Sequence, residues 1–233
     1  MSVLNKKLIL GLALVLLFSP LPCAAQNVRL YPVDESHKDR SFKVFRDQLL
    51  AALRRRDKQF LLSVLHPEIF NSLGGDRGVK EFVEQWKLNS PQSKVWSELY
   101  KILLLGGTFD EENGEKFFSA PYVSSRWDRI QPKLRGEFAE VSYEAIIGSR
   151  VRVYSRPDLD APVLTRLTYD VVEVDYPGSI QSSDFEFSWV KIKLPKGRSG
   201  YVRADKIRSP SDTSAHFKKF KGKWLLYIFS GGE

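Results

Sequence analysis

The stretch Ser149-Arg150-Val151-Arg152-Val153-Tyr154-Ser155-Arg156-Pro157-Asp158 decides the fold of the second half of the chain. Val151 and Val153 alternate with Arg150, Arg152 and Tyr154. That is the period of a half-buried strand, whose successive side chains leave opposite faces. Pro157 fixes its own φ and Asp158 can close an Asx turn, so the strand ends there. The same grammar repeats downstream. Val163 to Leu167 reads as a second strand and Val171 to Asp175 as a third, followed by a polar loop through Pro177-Gly178. From Phe187 to Lys193, Phe187 and Trp189 share one face and Val190 and Ile192 the other. A tight turn over Pro195 to Gly200 leads into Tyr201-Val202-Arg203. Short strands at this spacing predict a small β-barrel over 145–209.

Upstream, the period changes. Phe42, Phe45, Leu49, Ala52 and Leu53 recur at helical spacing, with Arg46, Arg54, Arg55 and Arg56 mostly on other faces. Asp57 is placed to cap a second helix that buries Phe60, Leu61, Val64 and Leu65 and stops at Pro67. Asp76 is placed to cap a third, marked by Val79, Phe82, Val83 and Trp86 and broken by Pro91. Ser93 is placed to cap a fourth, carrying Val95, Trp96, Leu99, Ile102 and Leu103, with Gly106-Gly107 as its left-handed stop. Residues 26–144 therefore read as a mainly helical domain. It includes one short strand at Phe117 to Val123 and a linker over 124–143 that can hold a further strand at 138–143.

The last stretch, 210–233, reads as a hairpin: His216 to Phe220, a Lys221-Gly222-Lys223 turn, and Trp224 to Phe229. A five-stranded barrel is complete by Ile207. The hairpin is therefore expected to leave it, pack back on the N-terminal half and pair with Phe117–Val123. The barrel would then be an insertion in an α+β domain. The expected fold class is α+β.

Four segments in series, Val151-Arg152-Val153 before Pro157-Asp158, Ala161-Pro162-Val163 with Leu167, Trp189-Val190-Lys191-Ile192, and Gly197-Arg198-Ser199-Gly200-Tyr201-Val202, resemble the bacterial SH3 domain family. The resemblance covers 145–209 and implies a five- or six-stranded barrel of an extracytoplasmic module that binds cell-wall peptides or tethers a partner. The layout also resembles uncharacterised bacterial SH3 domain-containing proteins, through Leu105-Gly106-Gly107 and Ala120-Pro121-Tyr122. The C-terminal Gly-Lys-Trp hairpin is similar to those of the helix-plus-curved-sheet folds related to nuclear transport factor two.

The N-terminus supplies a location. Lys6 and Lys7 precede the apolar run Leu8 to Phe18, and Cys23-Ala24-Ala25 precedes Gln26. This is the pattern of a secretory signal cleaved after Ala25, and the run is too short and wrongly flanked for a membrane span. Lipidation at Cys23 is the rival reading. The expected protein is secreted or periplasmic, with no membrane span after cleavage. Cys23 is the chain's one cysteine, so cleavage removes every thiol, and with it any disulfide, thiolate nucleophile or thiolate metal site.

The chain carries a net charge of +8, and losing Lys6 and Lys7 leaves +6. Most of that excess falls in 145–233, with 15 basic and 10 acidic side chains, against 19 and 18 in 26–144. Attraction to anionic envelope polymers and simple solubility are both consistent with it. The expected partners are a cell-wall peptide, an anionic envelope polymer or another envelope protein, not nucleic acid.

Catalytic signals are sparse. His37, His66 and His216 form no spaced ligand pair, and His66 is placed to meet helix-end carbonyls. No Gly-x-Ser-x-Gly elbow is present. Gly74 to Gly78 lacks a P-loop context and reads as a turn. Glu111, Glu112, Glu137, Glu140 and Glu144 read as a solvated surface. No metal or cofactor is expected. The candidate binding residues are aromatics beside arginines near barrel turns: Tyr154, Arg156, Tyr176, Phe185, Arg198 and Tyr201. For Tyr154 and Tyr201 groove and packing roles remain open; Trp189 and Trp224 are assigned to cores. The leading expectation is a non-enzymatic envelope-binding protein. An envelope hydrolase or its regulator, and a carrier with a cavity enclosed by Trp86, Trp96 and Trp224, are the alternatives.

Overall fold

The computed structural model describes residues 28–231, apart from Leu73, Arg135, 137–138 and 182–186. The expected signal segment and Phe185 lie outside the described residues. In chain order the elements are α1 (Arg40–Arg55), α2 (Lys58–Ser63), β1 (Leu65–Phe70), α3 (Val79–Gln85), α4 (Val95–Leu104), β2 (Thr108–Glu112) and β3 (Glu115–Ala120). Then come α5 (Tyr122–Arg126), α6 (Ala139–Ser142), β4 (Tyr143–Ile146), β5 (Val151–Tyr154), β6 (Val163–Leu167), β7 (Val171–Glu173) and β8 (Ile180–Gln181). The chain finishes with β9 (Phe187–Leu194), β10 (Arg198–Arg203), β11 (Ile207–Arg208), β12 (Ser214–Phe220) and β13 (Lys223–Ser230). The fold is α+β. No helix among the described residues is long and apolar enough to cross a membrane.

The first lobe is a five-stranded sheet in the order β1-β13-β12-β3-β2 with α1, α3 and α4 packed on it. The C-terminal hairpin leaves the second lobe as expected: Phe217 pairs with Phe118 and Lys218 with Phe117. The pairing strand ends at Ala120, and Tyr122 already begins α5. Residues 26–144 hold more helix than strand, and they also supply β1, β2 and β3 to the sheet, so the lobe is α+β. The second helix stops at Ser63, and Leu65 opens β1, which runs parallel to β13. Pro67 ends the helical pattern, but the partner strand lies about 160 residues downstream, so no local signal announces β1.

Helix ends follow their side chains. The carboxylates of Asp39 and Asp57 accept from the Phe42 and Phe60 amides, each at 3.0 Å, and so cap α1 and α2. Two expected caps do not form. Asp76 instead accepts from the Ser72 hydroxyl, and Gly78 starts α3. Ser93 donates to the Trp86 carbonyl, which ties the loop before α4 to the end of α3. Gly106 adopts φ +74 beyond α4, and a Cβ there would lie 2.4 Å from the Val33 carbonyl oxygen. Only glycine admits that left-handed turn under the crossing N-terminal segment.

Phe42 is the hub of the first core. Its ring centroid lies 4.3 Å from Phe118, 4.9 Å from Trp224, 5.4 Å from Phe109 and 5.7 Å from Phe217. Trp224 is buried as expected and donates from Nε1 to the Ser41 hydroxyl at 3.0 Å. Trp86 packs on Phe229 at 4.6 Å and Trp96 is buried. Among the described residues the three line no common cavity: Trp224 lines a cleft with Asp39, Lys116 and Lys219, and Trp86 a separate one with Gln92 and Ser93.

The second lobe interrupts the first between β3 and β12. Its strands form a five-stranded sheet, β6-β5-β10-β9-β8, and a three-stranded sheet, β11-β4-β7. The two enclose Ile146, Val153, Val190, Ile192, Val202 and Ile207. All the expected strands are present, but they do not close into a barrel. Apart from one bridge, Val174 to Ile192, the two ladders stay separate among the described residues. The expected strand at 138–143 is instead α6, with β4 starting at Tyr143.

The end of the expected strand and the start of the stretch read as a linker form a third core. Tyr122, Val123, Trp127 and Ile130 pack with Leu30, Ala145 and Val171. The N-terminal segment locks this seam: the Leu30 amide donates to the Tyr169 carbonyl at 2.9 Å and the Val171 amide to the Val28 carbonyl at 2.8 Å.

Candidate functional site

The alternation along β5, β10 and β9 gives the second lobe two unlike faces. Val151, Val153, Val190, Ile192 and Val202 point into the core. Gly200 shares that inner face, and a Cβ there would lie 2.6 Å from the Val153 Cγ1. The intervening residues therefore point outward, and strand register sets them in rows. Arg166 on β6 stands directly opposite Arg152 on β5. Arg203 on β10 stands opposite Trp189 on β9, and Trp189 opposite Ile180 on β8. The Tyr201–Tyr154 pair fixes β10 against β5, which brings Arg203 beside Arg152. Strands lie about 4.8 Å apart, so Arg166, Arg152 and Arg203 form three adjacent guanidinium-bearing positions ending at an indole.

Arg152 and Arg203 line one cleft of about 420 Å³, with Arg150, Lys206, Tyr154 and Asp205. Asp205 is the acid among these lining residues, and it accepts from Arg203 Nε and from Lys206 Nζ at 2.9 Å each. Those two cations hold its carboxyl below the usual range, against the opposing pull of its partial burial. Arg150 sits at φ +54 in the left-handed region, its amide held by the Thr168 hydroxyl at 2.9 Å. Neither ion pairs nor side-chain hydrogen bonds join Arg152 or Arg166 to an acid among the described residues. Like charges directly opposite on a ladder repel, so the Arg152–Arg166 pair is an unfavourable one that no acid among the described residues offsets by direct contact.

Of the expected site residues, the structure brings Tyr154 and Tyr201 together as cross-strand partners. Tyr154 is only 6% exposed, because its ring meets the Trp189 edge at 5.5 Å and 87°. Trp189 is half-buried on the outer face, not in the core as its apolar neighbours suggested. Arg156 lies in the loop after β5, 4.0 Å from Asp158, and Arg198 lies opposite Leu194 at the far end of β10. Neither lines the cleft. Tyr176 is remote from it; its hydroxyl donates to Glu144 Oε1 at 2.6 Å. The residues missed were Arg152, Arg166, Arg203 and Lys206. Their outward parity was legible, but the register that aligns them depends on strand pairing.

Two buried polar groups lie elsewhere. Glu144, 6% exposed, has its carboxyl pushed up to about 7, chiefly by burial, with Asp212 adding repulsion and the Tyr176 hydroxyl and Arg208 opposing it. It is therefore no solvated surface acid, whereas Glu111 and Glu112 are exposed on β2. His216 shares a hydrogen bond from Nδ1 with the Ser119 hydroxyl at 2.8 Å and from Nε2 with the Ser214 hydroxyl at 3.2 Å. Burial, then the Lys218 charge, pushes its pKa down to about 4. The neutral ring ties β3 to β12. His66 does not meet helix-end carbonyls: it lies on β1, its ring stacks on Phe220 at 4.0 Å, and its Nδ1 accepts from the Glu68 amide. Among the described residues no three His, Cys, Asp or Glu side chains are grouped to hold a metal.

Comparison with known protein families, curated proteins and solved structures finds no match. The functional reading rests on the geometry of the face itself.

Proposed function

We propose that this chain is an exported, non-enzymatic binding protein that attaches to an anionic polymer of the cell envelope. The attachment surface is the outer face of β5, β10 and β9, and the second lobe is an open variant of the SH3-like module that its sequence resembles. The seam cluster of Tyr122, Trp127 and Leu30 packs the module against the α+β lobe through Ala145 and Val171.

One observation carries the reading: three arginines abreast on adjacent strands, ending at Trp189 and flanked by the Tyr154–Tyr201 pair, with the neighbouring Asp205 already engaged. Cations beside amphipathic rings suit a charged polymer, because guanidinium groups take the anions while ring faces cover the backbone between them. The charge imbalance of the second half supports the same reading.

Purified residues 26–233 are expected to co-sediment with insoluble cell-wall material at low salt and to leave it undigested. Reversing the row with R152E and R203E together should abolish retention without unfolding the protein, since both side chains are exposed. Absence of retention at low salt, or retention indifferent to the double reversal, would overturn the reading.

A further inference from the structure

We propose that the arginine row selects phosphate: Arg166, Arg152 and Arg203 jointly hold a phosphate group of a linear polymer whose next unit covers Trp189. The proposal rests on the reading of this face as an envelope-binding surface and adds the chemistry it recognises.

The argument is one of charge count and acceptor number. Arg152 and Arg166 are exposed, directly opposed and without an acidic partner among the described residues; Arg152 and Arg203 line one cleft, and Arg166 stands beside it on the neighbouring strand. A carboxylate offers two oxygens and one charge, which a single guanidinium satisfies in a bidentate pair. Arg152 and Arg166, with the terminal nitrogens of Arg203 beyond the Nε that Asp205 takes, call for more acceptor oxygens held around one centre, with more charge, and phosphate supplies both. Arg150 and Lys206 line the same cleft, while Asp205 is occupied by Arg203 and Lys206, so the lining keeps a positive excess. The row then runs on to Trp189 and Ile180, across the strands. A chain laid along it places an uncharged unit on the indole beside each bound phosphate. A polymer fits better than a lipid surface, because the rings do not protrude. Trp189 and Tyr201 are half-buried and Tyr154 is 6% exposed, so the face has little aromatic surface to insert into a bilayer.

The test is calorimetric titration of residues 26–233 with inorganic tripolyphosphate at low salt, beside polygalacturonate as a carboxylate polymer and vesicles rich in phosphatidylglycerol. Saturable tripolyphosphate binding is expected, at least ten-fold tighter per charge than polygalacturonate. R152Q and R166Q should each weaken it about ten- to hundred-fold, the range for one charge-assisted contact. R40Q, the same charge change on the helical lobe, should leave it within about two-fold. Equal affinity for the two polymers, equal loss in R40Q, or binding confined to the vesicles would overturn the proposal. Displacement from cell-wall material separates the two ideas. Retention that tripolyphosphate cannot displace sinks the phosphate assignment and leaves envelope attachment standing. Tripolyphosphate binding without retention does the reverse.

Discussion

Glu144→Gln should make this protein more stable above neutral pH and leave it unchanged in acid. The carboxyl is 6% exposed on β4, and burial raises its pKa from the ordinary 4.5 to about 7. Between those values the folded chain binds the proton that the unfolded chain has released. Stability therefore falls as pH rises through that window, and the full cost is present by about pH 8. A shift of about 2.5 units corresponds to roughly 3 kcal/mol. Glutamine removes the charge and keeps an oxygen to accept the Tyr176 hydroxyl, now 2.6 Å from the carboxylate. Asp212 and Arg208 face the same group with opposite signs, and neither is altered. Urea unfolding at pH 4.5 and pH 8.5 provides the assay. The variant should match the parent at the lower pH and exceed it by up to about 3 kcal/mol at the higher, a rise in Tm of roughly 5–10 °C for a chain of this size. An equal difference at both pH values would refute the reasoning, because it would show that the change acts through packing and not through the buried charge.

The other outcomes concern different parts of the molecule. His216→Gln should remove an acid-side loss of stability. The ring's pKa is pushed down to about 4 from 6.5, so the folded parent loses stability as pH falls through that interval, and thermal melts between pH 7 and pH 4 read the slope. Phe42→Ala should cost about 3–5 kcal/mol in chemical unfolding, since the ring is fully buried against Phe118, Phe217 and Trp224. Asp39→Ala should cost about 1 kcal/mol through loss of the α1 cap. Retention on envelope material should weaken with added salt far more than the fold does, because its charges are exposed and its core is not.

Much of the second lobe was legible in the sequence. Alternation at Val151, Val153, Val190 and Ile192 located its strands, and excess charge marked it as the basic half. The departure of the C-terminal hairpin was legible too, because a barrel complete by Ile207 left it over and the apolar strand at Phe117 to Ala120 offered its first strand, β12, a partner. By contrast β1 was hidden: its Leu65, Pro67 and Ile69 look like the end of a helix until β13 arrives beside them. Trp189 was misassigned for a related reason. Alternation says that two residues share a face, but not which face is buried.

Sequence by itself determined the local units: two helices capped by aspartate, a period-two half and a hairpin that returns. Tertiary structure alone decided that Arg166, Arg152 and Arg203 stand abreast and that Tyr154 leans on Trp189. It also decided that Glu144 is buried. Those facts depend on strand register and lobe packing, which join residues far apart in the chain. Side-chain parity is a property of one strand, whereas a binding row belongs to several strands at once.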